Sequence, residues 1–187
     1  MLAKTVEPDG ISEPPPRETP RYRPQDTPDY AARTHGVVSR DVLTGGSGLA
    51  FLQGLIDGIH PPPPFSRATR IYLTEVSEGR AVFSGVPTED FFNPIGTIHG
   101  GWISALLDSA MACAVHSTLK PGQGYTTVEM KINFVRPVLP SAGTLACEGV
   151  VIHRGGTLAT SEGRLLDAKG RLLAHGTETC MIIEPKG

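Results

Sequence analysis

Asn93, His99, the pair Gly100-Gly101 and Asp108 are the residues of this chain whose types and spacing could do chemistry. From Gly100 to Leu119 the only formally charged side chain is Asp108, and apart from Cys113 the only other titratable one is His116. An ionised carboxylate in such a run must be hydrogen-bonded, be paired, or have its pKa raised. That makes Asp108 a candidate general base or nucleophile. Two residues without side chains at a helix start leave the first backbone N–H groups open, at the positive end of the helix dipole. Such a tip suits a carbonyl oxygen that becomes an oxyanion.

Gly100 and Asp108 lie eight residues apart, about 12 Å along a helix axis at roughly 1.5 Å per residue. An oxyanion donor must come within about 3 Å of the carbonyl oxygen, and an attacking water within roughly 3.5 Å of the same carbonyl carbon. One helix cannot bring both groups to one carbonyl. Two antiparallel copies can, each lending Gly100 to the other's Asp108. If both residues act, the active unit is at least a two-fold dimer with two equivalent sites.

The elements that position these residues follow from periodicity. The apolar side chains of 100–119 fall all round a helical wheel, so this helix is expected to be buried, with Asp108 projecting beside Ser104, Ala105, Met111, Ala112 and Val115. Pro121-Gly122 closes it. Ile71–Val76 and Ala81–Val86 read as strands about the turn Ser77-Glu78-Gly79. Val128, Met130, Ile132 and Phe134 alternate with Glu129, Lys131 and Asn133, a period-two strand ended by Pro137 and Pro140. Further strands are expected at about 143–153, 156–166 and 171–183, joined by hairpin-length turns. This order predicts an antiparallel sheet rather than βαβ units. A helix buried on all sides needs a sheet that curls about it.

Upstream, residues 1–40 are rich in Pro, Arg, Glu and Asp, and are expected to form a disordered or extended arm. Residues 41–64 are expected to hold a short helix, with Leu49, Leu52, Leu55, Ile56 and Ile59 on one stripe, either packed on the domain or lying as a lid over a pocket. Pro61–Pro64 should stop that helix and stiffen the link. The main domain then spans 65–187. Its 187-residue parent chain has a formal net charge of −2, which argues against nucleic acid or an anionic membrane as the main partner. No window reaches the roughly 18 apolar residues of a membrane span. The three cysteines, Cys113, Cys147 and Cys180, have no metal-ligand spacing and read as buried free thiols, which implies a reducing, cytoplasmic setting. No metal constellation, Ser-His-Asp set or GKS-type phosphate loop stands out.

The spacing Asn93-x5-His99-Gly100-Gly101-x6-Asp108 resembles the motif of the PaaI-like hotdog-fold acyl-CoA thioesterases, in the 4-hydroxybenzoyl-CoA thioesterase-like superfamily. The likeness runs from about Ser66 to Ile183, through GYTTVEMKINFVRP (124–137), VIHRGG (151–156) and DAKGRLLAHGTETCMII (167–183). A lone HGG would be weak; four residues at fixed offsets followed by the expected strands are specific. The resemblance implies an α+β hotdog fold, an antiparallel sheet of five to six strands wrapped around one long central helix, with an extra N-terminal helix. It implies hydrolysis of acyl-CoA thioesters by a homodimer, assembled as a homotetramer, with CoA as part of the substrate and no separate cofactor. Asp108 then activates the attack and Gly100 holds the oxyanion. Asn93 and His99 position the thioester or the water. A Ser or Thr at the start of the following strand helps place the water; Thr127 fits, although the spacing is one residue longer than in the family, which leaves Thr126 open. Arg136, Arg154 and, more weakly, Lys131 are candidates for the CoA phosphates.

Each of these residues also has a plainer role: a structural Asp, a close-packing Gly, an Asn-Pro turn, a helix-capping His, a β-favouring Thr, solvated charges, and, for Trp102, simple packing rather than a pocket wall. Two other activities fit the same fold. One is a non-catalytic acyl-CoA sensor, which should lack the helix carboxylate. The other is an enoyl-CoA hydratase, whose Asp-x-Asn-Pro-x-His block is not matched, because Asp90 is one residue too far from Asn93-Pro94 and Gly96 stands where His is wanted.

Overall fold

The 17 residues from Gly100 to His116 form the central helix, with Leu106, Leu107, Ala110, Met111, Ala114 and Val115 all at 0% exposure. Side chains from several sides of one helix can be buried only if partners surround it. Here a single sheet supplies most of them. The computed structural model describes residues 30–185. In chain order they form α1 (Arg40–Thr44), α2 (Gly48–Ile56), α3 (Pro64–Thr69), β1 (Ile71–Ser77), β2 (Arg80–Gly85), α4 (Gly100–His116), β3 (Gly124–Phe134), β4 (Leu145–Arg154), β5 (Leu158–Leu166) and β6 (Leu172–Ile183). The six strands make one antiparallel sheet in the order β1-β2-β4-β5-β6-β3, and α4 touches every one of them.

Glycines set how closely sheet and helix approach. A Cβ on Gly149 of β4 would lie 2.2 Å from the Ala110 carbonyl oxygen, and one on Gly163 of β5 would lie 2.8 Å from the Met111 side chain. Only glycine fits where a strand backbone meets a helix backbone this tightly.

The N-terminal region differs from expectation in two places. Residues 1–29 of the expected arm lie outside the described residues, but Tyr30 and Arg33 are packed onto the domain, between and beside exposed neighbours such as Val37. Tyr30 is 3% exposed, stacks on Tyr72 with ring centroids 4.9 Å apart, and donates its hydroxyl to the Leu73 carbonyl at 2.5 Å. Arg33 donates to the Leu55 and Ile56 carbonyls at 2.8 and 2.9 Å, which satisfies the open end of α2. One aromatic and one arginine outweigh the polar composition around them. The second difference is α3. Pro64 does not merely prolong a stiff link; it begins a helix, because a fixed φ and a missing N–H cost nothing at a first helical position. The indole of Trp102, 7% exposed, donates to the Thr69 carbonyl at 2.7 Å and so pins the end of α3 to the start of α4.

On β3 the expected alternation is interrupted. The β3–β6 register slips between Thr127 and Glu129, a bulge that leaves Val128 52% exposed. One extra residue reverses the parity of the strand. Tyr125 and Thr127 therefore face the helix before the bulge, and Met130 and Ile132 after it. β3 is an edge strand of the sheet.

Candidate active site

Asp108 sits two turns into α4, half-buried, where the sheet leaves a gap beside it. The bulge on β3 aims Thr127 into that gap, and its Oγ1 lies 3.3 Å from Asp108 Oδ1. Thr126, the alternative from spacing, is exposed and faces away. Burial raises the Asp108 pKa, and the hydrogen bond from Thr127 opposes the rise. The carboxyl opens into a cavity of about 220 Å³ whose walls include Leu73, Phe83, Cys113 and Tyr125. A carboxylate with a raised pKa, one hydroxyl partner and an apolar chamber in front of it is equipped to take a proton from water.

A second acid, which the sequence reading missed, lies behind Thr127. Glu178 on β6 is 1% exposed, with Oε1 2.7 Å from Thr127 Oγ1 and accepting from the Cys180 thiol at 3.1 Å. Its Oε2 has no partner among the described residues. Burial first, and the charge of Asp108 last, push its pKa up to about 7, against the hydrogen bonds from Thr127 and Cys180. Thr127 has one hydroxyl proton for two carboxyl groups. A protonated Glu178 donating to Thr127, which donates to an ionised Asp108, gives each of these two contacts one donor and one acceptor. The signal was present: Ala174, Gly176, Glu178, Cys180 and Ile182 form the inward face of β6, and Glu178 is the only charged residue on it.

This acid makes stability depend on pH. The carboxyl titrates near 4.5 when exposed in the unfolded chain and at about 7 in the fold. Between those values the folded state holds a proton that the unfolded state has released, so stability falls as pH rises from about 4.5 to 7 and levels off above. The loss is on the order of 3 kcal/mol. Glu178→Gln should flatten denaturant-derived stability between pH 5 and 7 and stabilise the protein at pH 8. An unchanged slope in the variant would exclude Glu178 as its source.

The helix start forms the other group of candidates. His99 is the N-cap, its Nδ1 accepting from the Gly101 amide at 2.8 Å, so Nε2 carries the proton of the neutral ring. Among the described residues nothing accepts from the Gly100 amide. Asn93 closes its own loop: Oδ1 accepts from the Ile95 and Thr97 amides, both at 3.1 Å, and Nδ2 donates to Thr97 Oγ1 at 2.8 Å. One Nδ2 hydrogen remains for a ligand. Gly100, Phe134 and Arg136 line a cavity of about 250 Å³, and Arg136 also donates to the Leu172 carbonyl at 2.5 Å.

Arg154 lies at the far end of α4, donating to Thr118 Oγ1 and Gln123 Oε1, both at 3.2 Å, and to the Gly155 carbonyl. Lys131 is exposed on β3. The structure thus joins Asp108 to Thr127, and Gly100 to His99, Arg136 and the Asn93 loop. Within one chain it does not join these two groups, nor Arg154 to Arg136.

A long buried helix wrapped by a six-stranded antiparallel sheet, with an acid inside it and an open amide at its tip, defines a hotdog-fold protein of the acyl-transfer type. The chain belongs to the thioesterase superfamily, whose sequence model matches residues 95–174, and is an enzyme of the thioester-hydrolase class. Acyl-coenzyme A thioesterase 13 of Homo sapiens is 30% identical over 111 residues, which cover 59% of this chain and 78% of that one. PaaI of Escherichia coli, from the phenylacetic acid degradation operon, shares the fold with a TM-score of 0.65 at 22% identity, covering 75% of this chain and 99% of that one. A mutant form of the phenylacetic acid degradation protein PaaI of Thermus thermophilus aligns with a TM-score of 0.57 at 27% identity, covering 63% of this chain and 97% of that one.

Proposed function

We propose that this protein hydrolyses acyl-CoA thioesters to the free acid and CoA, at sites shared between two subunits. The observation that carries the reading is Asp108, an acid with a burial-raised pKa, hydrogen-bonded to Thr127 and facing an apolar cavity. Water adds to the thioester carbon while Asp108 takes its proton. The carbonyl oxygen becomes an oxyanion held by Gly100 of the partner subunit. Collapse breaks the C–S bond, the sulfur leaves as thiolate, and the proton on Asp108 returns to it. Direct attack by Asp108, giving an anhydride that water then opens, leads to the same products. Thr127 orients the carboxylate, the remaining Asn93 hydrogen and His99 Nε2–H steady the thioester, and Arg136, Arg154 and, more weakly, Lys131 are the candidates for the CoA phosphates. CoA is part of the substrate, so the chemistry needs no other cofactor.

The edge strand supports the dimer. β3 runs for 11 residues with Val128 and Phe134 more than half exposed, and an open edge of this length is a template for pairing with a second copy. A two-fold axis beside β3 lays two α4 helices antiparallel, as the 12 Å argument requires. We extend this to a cytoplasmic homotetramer built from two such dimers; no helix among the described residues is long and apolar enough to cross a membrane. The test is thiol release from a panel of acyl-CoAs by the purified protein, with CoA-thioether binding in parallel. Turnover of at least one thioester is expected. Binding without turnover would make the protein a sensor.

A further inference from the structure

A second cavity among the described residues is larger than the one that holds Asp108. It has a volume of about 650 Å³ and lies between α2, the segment from Gly36 to Thr44, and the far end of α4. It neighbours the Asp108 cavity: Leu55, Pro63, Cys113 and Tyr125 line both. Its walls are mostly apolar, with the exposed Arg40 and the half-buried Thr44 and Gln123 also among them. The one histidine deep in it, His116, is 8% exposed, and burial lowers its pKa to about 4, so it is neutral at pH 7. That ring stacks on Phe51 with centroids 5.5 Å apart, and Phe51 stacks in turn on His60 at 5.1 Å.

The roof comes from residues 36–63, outside the matched stretch 95–174. It is firmly tied down. Ser47 caps α2, the Gly48 amide donates to the Leu119 carbonyl at 3.0 Å, and the Gly122 amide donates to the Thr44 carbonyl at 2.8 Å. The Gly36 amide donates to the Pro62 carbonyl at 3.0 Å. A void this large and this apolar loses contacts on every wall unless something fills it, and pockets of roughly 300–1,000 Å³ are the size of ligand sites.

We propose that this chamber receives the far end of a long, unbranched acyl chain whose thioester lies at Asp108, so that the substrates are long-chain fatty acyl thioesters. The inference rests on the proposed hydrolysis for the position of the thioester, and on the cavity alone for the length of the chain. The carboxyl in the smaller cavity and the larger one's mostly apolar lining, in which the one formally charged side chain among the described residues is the exposed Arg40, orient the ligand: reacting head at Asp108, hydrocarbon tail under α2. Each buried methylene adds affinity up to a ceiling of roughly fourfold.

The experiment has two arms. In the first, S-hexyl- and S-hexadecyl-CoA thioethers, which cannot be hydrolysed, are titrated calorimetrically into the full-length protein. This arm reads the chamber even if no thioester is turned over. The hexadecyl compound should bind at least a hundredfold more tightly. In the second, the ratio of kcat/KM for palmitoyl-CoA to that for hexanoyl-CoA is measured in wild type, Leu55→Trp and Leu43→Trp. Leu55 lines both cavities and Leu43 lines only the chamber. Both variants should lower the ratio at least tenfold, and Leu43, 38% exposed and on the short helix α1, can take the larger ring without threatening the fold. Equal affinity for the two thioethers overturns the proposal, as does a ratio unmoved by both substitutions. Loss of all turnover with the affinity difference intact would instead remove the hydrolysis and leave the acyl site standing.

Discussion

Asp108→Asn is expected to lower kcat for thioester hydrolysis by roughly a hundred- to ten-thousandfold, the range set by removing a general base, and to leave the protein folded and no less stable. The two halves of this expectation come from the same burial. Asn keeps the shape of Asp and can still accept from Thr127, but it cannot take a proton or attack the carbonyl. The wild-type carboxyl has a folded pKa raised by burial, so ionising it costs stability as pH rises from its unfolded value through its folded one. A neutral amide removes that cost, and the melting temperature at pH 7 should be equal or higher. Wild-type kcat should fall on the acid side as Asp108 is protonated, and this limb should be missing from the residual activity of the variant. Turnover within threefold of wild type would take Asp108 out of the reaction. A large loss accompanied by a lower melting temperature would point instead to a structural acid.

The fold was legible because its strongest constraint is written in one segment. A 20-residue run with one formal charge has to be surrounded, and the alternating stretches after it are what surround it. The residues that could react were legible for the same reason, since a lone acid in such a run stands out. What escaped was set by geometry that one-residue periodicity does not carry. The bulge at Val128 turns an apparently unbroken alternation into two half-strands of opposite parity, and this, not spacing along the chain, brings Thr127 rather than Thr126 to Asp108. Glu178 was hidden by its neighbours: in HGTETC it looks like one polar residue among several, and only the inward face of β6 isolates it as a buried acid. The packing of Tyr30 and the start of α3 at Pro64 were masked by a composition that favours disorder on average but does not decide single contacts.

The role of the Gly100 amide can be tested by a substitution that replaces its hydrogen with a ring carbon. Gly100 is the first residue of α4, where proline is tolerated, and His99 before it has φ −60 and ψ 136, the extended backbone that a following proline requires. Gly100→Pro therefore removes the N–H with little cost to the helix. Gly100→Ala keeps the N–H and adds the same Cβ, which meets only the ring of Phe134 at 3.3 Å, an exposed side chain able to yield. Loss of one oxyanion donor should reduce kcat by roughly a hundred- to a thousandfold in the proline variant, while the alanine variant stays within a few-fold of wild type. Equal losses in both would assign the effect to crowding. Because Gly100 and Asp108 cannot meet within one chain, the two inactive variants should also rescue each other. A hybrid dimer of Gly100→Pro and Asp108→Asn has one doubly damaged site and one in which both working residues are present. Random reassortment of an equal mixture makes half of the dimers hybrids, so activity should return to about a quarter of wild type. A mixture that exchanges subunits and stays inactive would mean that no site combines Gly100 of one chain with Asp108 of the other, and would end the shared-site mechanism.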